Sequence, residues 1–269
     1  MADYAHLRLE RDGAVAWLVL DRPERRNALT HAMMIELEHA FRALAADRDC
    51  RVVVLRGSGG HFCAGGDLDA MAAMPPAPAD GEADPLVPTY RQFGNALLAL
   101  NGLPQASIAV VEGSAVGGGF GMACCCDVVV LHENARFGLP EPKVGFIPSQ
   151  IVPFIVRRIG EGATRDLAVK AHQIDGAEAH RLGIGRYLCR DGTAVERTVQ
   201  ALIDDVLKLE PTAVSAVKQL VMACDGREIE PLLDAAAESL VGLLRRPQAT
   251  EGIRHFMNKS LPPWTGSRS

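Results

Sequence analysis

The chain of 269 residues is 48% hydrophobic and carries a formal net charge of −5, enough apolar material for one sizeable core or a core with a smaller lobe. Lys and Arg are dispersed and only 5% of residues are aromatic, which excludes a basic, base-stacking surface for nucleic acid. No apolar run approaches the roughly 18 to 20 residues of a membrane span, and the N-terminal MADYAHLRLERDG is charged where a signal peptide is apolar; the expectation is a cytoplasmic protein with no membrane partner.

In chain order, LRLERDG followed by AVAWLVLDRP predicts a hairpin about Asp12 and Gly13. THAMMIELEHAFRALAADR places Met34, Leu37, Phe41 and Leu44 at helical spacing behind Thr30 as N-cap, with His31 opening the helix. VVVLRG and SIAVVEG are short apolar runs ended by glycine, the pattern of buried strands. PPAPADGEADPLVP, between Met74 and Thr89, is too rich in Pro, Gly and Asp for regular structure, and predicts a loop over 75–88. GSAVGGGFGMACCCD, residues 113–127, reads as a tight turn opening a short helix. From about Glu161 onward, segments beginning at EGATRDLAVKA, GAEAHRLG, AVERTVQALIDDVLKLE, PTAVSAVKQLVMACD and EPLLDAAAESLVGLLRR carry apolar residues three and four apart, predicting a helical C-terminal lobe whose helix end is complemented by Arg245 and Arg246. The chain shows no internal repeat.

The seven cysteines include neither CxxC nor a Cys/His ligand spacing. Cys124, Cys125 and Cys126 are adjacent, and neighbours on a helix point about 100° apart, so they do not converge on a metal and read as packed thiols. GGGFGM fails the GxGxxG pattern at Met122, GSGGHF fails it at Phe62, and no GxxxxGK exists. Ser114 fails the GxSxG elbow, with Glu112 and Val116 where glycines belong. What remains is backbone chemistry. Glycines opening a helix leave amide N–H groups unpaired and unshielded at the positive end of the dipole, and HFCAGGD, residues 61–67, offers a second glycine turn. Two such turns aimed at one oxygen make an oxyanion hole; each alone equally suits a tight turn or close helix packing.

DRPERRNAL, HFCAGGDLDAM, GSAVGGGFGMACCCDVVV and ARFGLPEPKVGFIPS, in this order, resemble the signatures of the crotonase superfamily, the enoyl-CoA hydratases and isomerases; FMNKSLPPW resembles its closing segment. The resemblance implies an α/β fold with a crotonase-like β-β-α spiral core (residues 1–195), a C-terminal helical trimerisation lobe (196–269), and a homotrimer or dimer of trimers. It implies an acyl-CoA substrate and no other cofactor or metal, coenzyme A entering as the thioester part of the substrate. Position by position, it places the oxyanion N–H groups on Gly66 and Gly118, coenzyme A contacts on Arg25 to Ala28 and on Ala64 to Leu68, including Asp67, and a tail closing over coenzyme A on Phe256 and Lys259, often from a neighbouring subunit.

Glu141, read alone a surface glutamate between Pro140 and Pro142, matches one of two water-holding glutamates of the family's hydratases. The other falls on Gly121. Together with IPSQIVPF, that change resembles the subgroup hydrating 3-branched glutaconyl-CoA thioesters (methylglutaconyl or isohexenylglutaconyl). A second substrate carboxylate beside two glutamates suffers like-charge repulsion, and Gln150, Lys143 or Arg91 are candidate partners for it. Glu141 alone suffices for hydration, since one proton moves in each direction. The alternatives are a double-bond isomerase, decarboxylase or thioesterase on the same fold, or a non-catalytic acyl-CoA scaffold. His61 is read as a turn residue, Asp67 as also fixing its own turn, and Met33, Met34, Met71 and Met74 as core or pocket lining.

Overall fold

The computed structural model describes residues 3–72, 76, 78–224, 226 and 228–265. The hairpin forms as β1 (Leu7–Asp12) and β2 (Val15–Leu20), antiparallel about Gly13. Helix α1 (His31–Ala46) starts where Thr30 Oγ1 accepts the Met33 N–H at 3.2 Å, and buries Met33, Leu37, Ala40, Phe41 and Leu44. Strand β3 (Val52–Gly57), short helix α2 (Leu68–Ala72) and α3 (Leu86–Asn101) follow. Helix α3 reaches into the segment expected as loop: Asp84 Oδ1 accepts the Leu86 N–H at 2.8 Å, and Pro88 sits in the first turn, where its missing N–H leaves no bond unmade. Met74, Pro75 and Ala77 lie outside the described residues.

Strands β4 (Ala106–Val111) and β5 (Ser114–Val116) lead into α4 (Gly118–Cys125), and β6 (Val128–His132) and β7 (Arg136–Gly138) into α5 (Val152–Lys170), which is broken at Gly160 (φ 79°, ψ 164°). Then come β8 (Gln173–Asp175), α6 (Gly176–Arg181), β9 (Tyr187–Cys189), α7 (Gly192–Leu207), α8 (Pro211–Ala223), α9 (Ile229–Leu244) and α10 (Pro247–Met257). One sheet runs β1-β2-β3-β4-β6-β9, parallel from β2 onward; a second runs β5-β7-β8. Single bridges Leu29↔Gly66 and Cys63↔Ala115 extend the second ladder, so β2, β3, β4 and β6 are each followed by a short piece of it. That repeated step is the β-β-α spiral.

The main sheet is covered on both faces, which is why VVVL and SIAVV read as unbroken apolar runs. Leu18, Leu55 and Ala109 join the cluster with α1, α3 and α4, while Val52, Val54, Ile108 and Val130 pack on Val195, Val199, Ile203 and Leu207 of α7. The expected boundary between residues 195 and 196 falls inside α7. Helices α8 to α10 contribute no fully buried residue and leave Val217, Val221, Ile229, Leu233 and Phe256 exposed. Lys218 ties α8 to the core: its Nζ lies 2.7 Å from Asp127 Oδ2 and donates to Gln105 O at 2.8 Å. Cys124 to Cys126 are buried, with burial raising the Cys124 and Cys126 thiols to about 12, and Arg158 donates to the carbonyls of Cys124 and Cys126 at the end of α4. Among the described residues no helix is long and apolar enough to cross a membrane.

Candidate active site

The turn at 63–67 is laced between two neighbours. On one side Ala64 N–H donates to Arg26 O (2.9 Å), Leu29 N–H to Gly65 O (2.7 Å) and Asp67 N–H to Leu29 O (2.9 Å); on the other, Cys63 N–H donates to Ser114 O (2.7 Å) and Val116 N–H to Cys63 O (3.0 Å). In a trans peptide the C=O and N–H point in opposite directions. Because Gly65 O is held by Leu29, the Gly66 N–H of that peptide points away from Leu29. The same argument fixes Gly118: Gly117 O accepts the Gly121 N–H at 3.1 Å as the first bond of α4, so the Gly118 N–H projects out of the helix's N-terminus. Neither amide has a hydrogen-bond partner among the described residues, and both glycines line one cavity of about 730 Å³.

Gly117 stands at φ 52°, ψ −118°, a conformation open to glycine. A Cβ there would also lie 2.6 Å from Glu141 Oε1, so the missing side chain lets the carboxylate rest against the backbone beside the Gly118 amide. Glu141 is delivered by β7 through Leu139 and Pro140, and Gly117 N–H donates to Gly138 O at 2.9 Å to lock that approach. Its Oε2 is buried without a hydrogen-bond partner, and burial raises its pKa above the ordinary glutamate value. A partly buried carboxylate with a raised pKa in a cleft is a candidate for acid–base chemistry.

Arg25, Ala28, Ala64, Gly66, Asp67, Leu68, Gly118 and Glu141 all line this cavity; Phe256 and Lys259 do not, and stand exposed away from it. Met34 and Met71 line it while Met33 is core. His61 is held in its turn, its Nδ1 accepting the Ser114 N–H at 3.1 Å.

Asp67 does fix its turn, accepting the Ala70 N–H at 3.3 Å, but it also meets Arg22 at 3.1 Å, and Arg22 in turn donates to Ala28 O. This buried clip, which no sequence spacing announced, pins 22–28 to the Gly66 turn. Burial pushes the Asp67 pKa up, yet the Ala70 N–H and Arg22 outweigh it and hold the carboxyl below its ordinary 3.8. A depressed carboxylate pKa stabilises the fold above the ordinary value and loses that contribution as pH falls through the folded value. Asp67→Asn is therefore expected to destabilise by roughly 3 kcal/mol at pH 7, with the gap to wild type closing towards pH 3 in urea melts.

Gln150 and Lys143 line the cavity, whereas Arg91 does not; two glycines behind the lining receive Gln150 and Ile151. At Gly121 a Cβ would lie 2.2 Å from Ile151 Cγ2; at Gly94, in the middle of α3, it would lie 2.3 Å from Gln150 Oε1 and 2.6 Å from Arg91 Nη1. The Gln150–Ile151 dipeptide is thus wedged between α3 and α4. An apolar branched side chain fills the space in front of position 121, and an amide and a guanidinium without a carboxylate partner among the described residues converge over Gly94.

The sequence profile of the family described as enoyl-CoA hydratase/isomerase matches residues 10–267. The chain belongs to the enoyl-CoA hydratase/isomerase family. A putative enoyl-CoA hydratase of Thermus thermophilus is 34% identical over 250 residues, spanning 93% of this chain and 97% of its own. The crystal structure of an enoyl-CoA hydratase/isomerase from Marinobacter aquaeolei superposes with a TM-score of 0.92 at 37% identity, covering 97% of this chain and 99% of that one. Pseudomonas aeruginosa AtuE gives 0.92 at 39% identity, covering 97% and 100%. The fold is therefore that of the crotonases, and the chemistry of the family is a crotonase-type reaction on an acyl-CoA.

Proposed function

We propose that this enoyl-CoA hydratase/isomerase family member adds water across the α,β double bond of an enoyl-CoA. The observation carrying the reading is the Glu141 carboxylate seated against Gly117, beside the outward-facing Gly118 amide. In this reading the Gly66 and Gly118 N–H groups take the thioester oxygen, which makes Cβ electrophilic. Glu141 removes a proton from water as its oxygen bonds to Cβ, the electron pair moves into the enolate, and the protonated Glu141 returns that proton to Cα. One H and one OH are added in total. Because one acid serves both steps from one side, addition is syn. Arg25, Ala28, Ala64, Asp67 and Leu68 would border coenzyme A, which enters as part of the substrate. Phe256 and Lys259 would act from a neighbouring copy in a homotrimer or dimer of trimers built on the exposed apolar faces of α8 to α10.

For the acyl group we favour a 3-branched glutaconyl thioester, of methylglutaconyl or isohexenylglutaconyl type. Ile151 in the Gly121 notch leaves Glu141 without a second acid, and Gln150 of the cavity lining, with the exposed Arg91 beside it over Gly94, would offer donors to a distal carboxylate. The test is product mass and kcat/KM for crotonyl-CoA beside 3-methylglutaconyl-CoA and isohexenylglutaconyl-CoA. A gain of one water supports hydration; an unchanged mass with a moved double bond assigns an isomerase, which a single shuttling base also suits, and loss of carbon dioxide a decarboxylase. Arg91→Met is expected to lower kcat/KM for the branched glutaconyl substrate about tenfold, one ordinary charged hydrogen bond, while sparing crotonyl-CoA. A wild-type preference for crotonyl-CoA overturns the acyl assignment and leaves hydration standing.

A further inference from the structure

Cys63 pairs with Ala115 as a parallel bridge, in which Cys63 N–H donates to Ser114 O at 2.7 Å and Val116 N–H to Cys63 O at 3.0 Å. Continued one rung back, a parallel ladder would bring the Ser114 N–H to the carbonyl of His61. That carbonyl is engaged elsewhere: it accepts from Nδ2 of the fully buried Asn27 at 2.7 Å, while Asn27 Oδ1 holds the Arg22 N–H at 2.8 Å. The rung is completed instead by the His61 side chain, whose Nδ1 accepts the Ser114 N–H at 3.1 Å. Gly113 makes room for the ring. It stands at φ 55°, and a Cβ there would lie 2.6 Å from His61 Nδ1 and 2.4 Å from Gly60 O.

A backbone N–H only donates, so Nδ1 presents its lone pair to Ser114 and the ring carries its hydrogen on Nε2. A second proton on the ring turns that acceptor into a donor and sets two N–H groups against each other. The rung lies just upstream of both outward-facing amides, since the 63–67 turn carries Gly66 and β5 runs into Gly117 and Gly118.

The charged and titratable side chains on the elements packed against His61 are Arg26 of the 22–28 turn, Glu112 after β4, which lies 3.3 Å from Arg56, and His132, Glu133 and Arg136 at the β6–β7 corner. That corner meets the same peptides through neutral groups: Asn134 Oδ1 accepts the Gly113 N–H at 3.1 Å, and His132 Nδ1 accepts the Asn134 N–H at 3.0 Å. No carboxylate is bonded to His61 among the described residues. Burial, with the Arg26 charge second, holds the His61 pKa below its ordinary 6.5. The folded chain therefore takes up this proton less readily than the unfolded one. The resulting penalty is absent above the ordinary value, grows as pH falls through it, and is complete below the folded value.

We propose that His61 is a positioning residue for the oxyanion pair: its neutral, Nε2-protonated ring completes the rung between the 61–63 segment and β5, and its protonation slackens that rung and the spacing of the Gly66 and Gly118 amides. The proposal rests on the reading of those two amides as thioester donors.

The probe is butyryl-CoA carrying ¹³C at the thioester carbonyl, a saturated chain with no double bond to react. Infrared difference spectroscopy reads the carbonyl stretch, which falls in frequency when N–H donors polarise it. Wild type at pH 8 is expected to lower it, and His61→Ala to lower it less. In the enoyl-CoA assay His61→Ala is expected to lose about fivefold in kcat, the worth of one hydrogen bond, with KM little changed. His61→Asn, whose Oδ1 accepts the Ser114 N–H and does not titrate, is expected to rescue both readouts. Between pH 8 and pH 5 the wild-type infrared shift is expected to shrink towards that of His61→Ala, and Tm to drop further than in His61→Asn. Glu141 and His132 are common to both chains, so their titrations cancel in that comparison. A His61→Ala shift equal to wild type, or a wild-type pH response identical to that of His61→Asn, overturns the proposal. Absence of any shift in wild type overturns the oxyanion reading and the proposal with it. A His61-dependent shift in a chain that hydrates no enoyl-CoA supports the proposal and overturns hydration alone.

Discussion

Glu141→Gln is expected to lower kcat for hydration by a factor of 10³ or more while leaving the affinity for a saturated acyl-CoA within about twofold. The amide keeps the shape and the contact with Gly117 but neither accepts the water proton nor returns it, and a positioned acid–base group is worth about 10² to 10⁴ in rate. The same substitution has an opposite signature in stability. Burial raises the Glu141 pKa, so the folded state disfavours the ionised form. Its penalty is absent where the carboxyl is protonated in both states and appears as pH rises through the ordinary glutamate value to its full size above the folded one. Glu141→Gln is therefore expected to raise Tm at pH 8 and to change little at pH 4. Loss of activity with a gain in alkaline stability separates a functional carboxylate from a structural one, and an active variant removes Glu141 from the reaction.

Gly119→Ala is the other large effect. A Cβ at Gly119 would lie 2.5 Å from Cys63 O and 2.7 Å from Cys63 Cβ. The first of these is backbone, and its residue is bonded on both flanks to the β5 strand, so relief comes by moving α4 away from the 63–67 turn. Overpacking of this kind costs about 1 to 3 kcal/mol, and the movement carries the Gly118 amide with it. Losing one oxyanion donor lowers kcat by about 10² to 10³, so both stability and rate are expected to fall, while KM for the thioester rises little. The matched control is Gly192→Ala at the start of α7, where a Cβ meets nothing within 4 Å; it is expected to leave rate and melting unchanged. Steady-state kinetics and urea melts on the two variants make the comparison.

Local chemistry was legible in the sequence wherever a residue acts on its own neighbourhood. Thr30 capping α1, the hairpin at Gly13 and the doubly buried strands follow from side chains interacting within a few positions, and the glycines at 65–66 and 117–119 marked backbone approached closely by something. What approached them was not legible. The Arg22–Asp67 clip joins residues 45 apart, and Ile151 enters the Gly121 notch from the start of α5; pairings of that reach depend on how the spiral stacks. Helix α10 was not legible because PQATEGIRHFM mixes Pro, Gly and charge, and it buries no residue that would leave an apolar stripe in the sequence. Gly160 (φ 79°, ψ 164°) breaks α5, so its second half begins at Glu161, where the sequence places a helix; the first half, from Val152, was hidden by Pro153, which a first turn tolerates.

The peptide-locked amides of Gly66 and Gly118 carry an implication for how such a site can be dissected. Side-chain deletion is blind to them, since there is no side chain to delete, and a scan by alanine would register only steric injury. Replacing the Gly117–Gly118 amide with an ester by semisynthesis would swap one N–H for an oxygen at almost constant shape, isolating the contribution of a single main-chain hydrogen to the reaction.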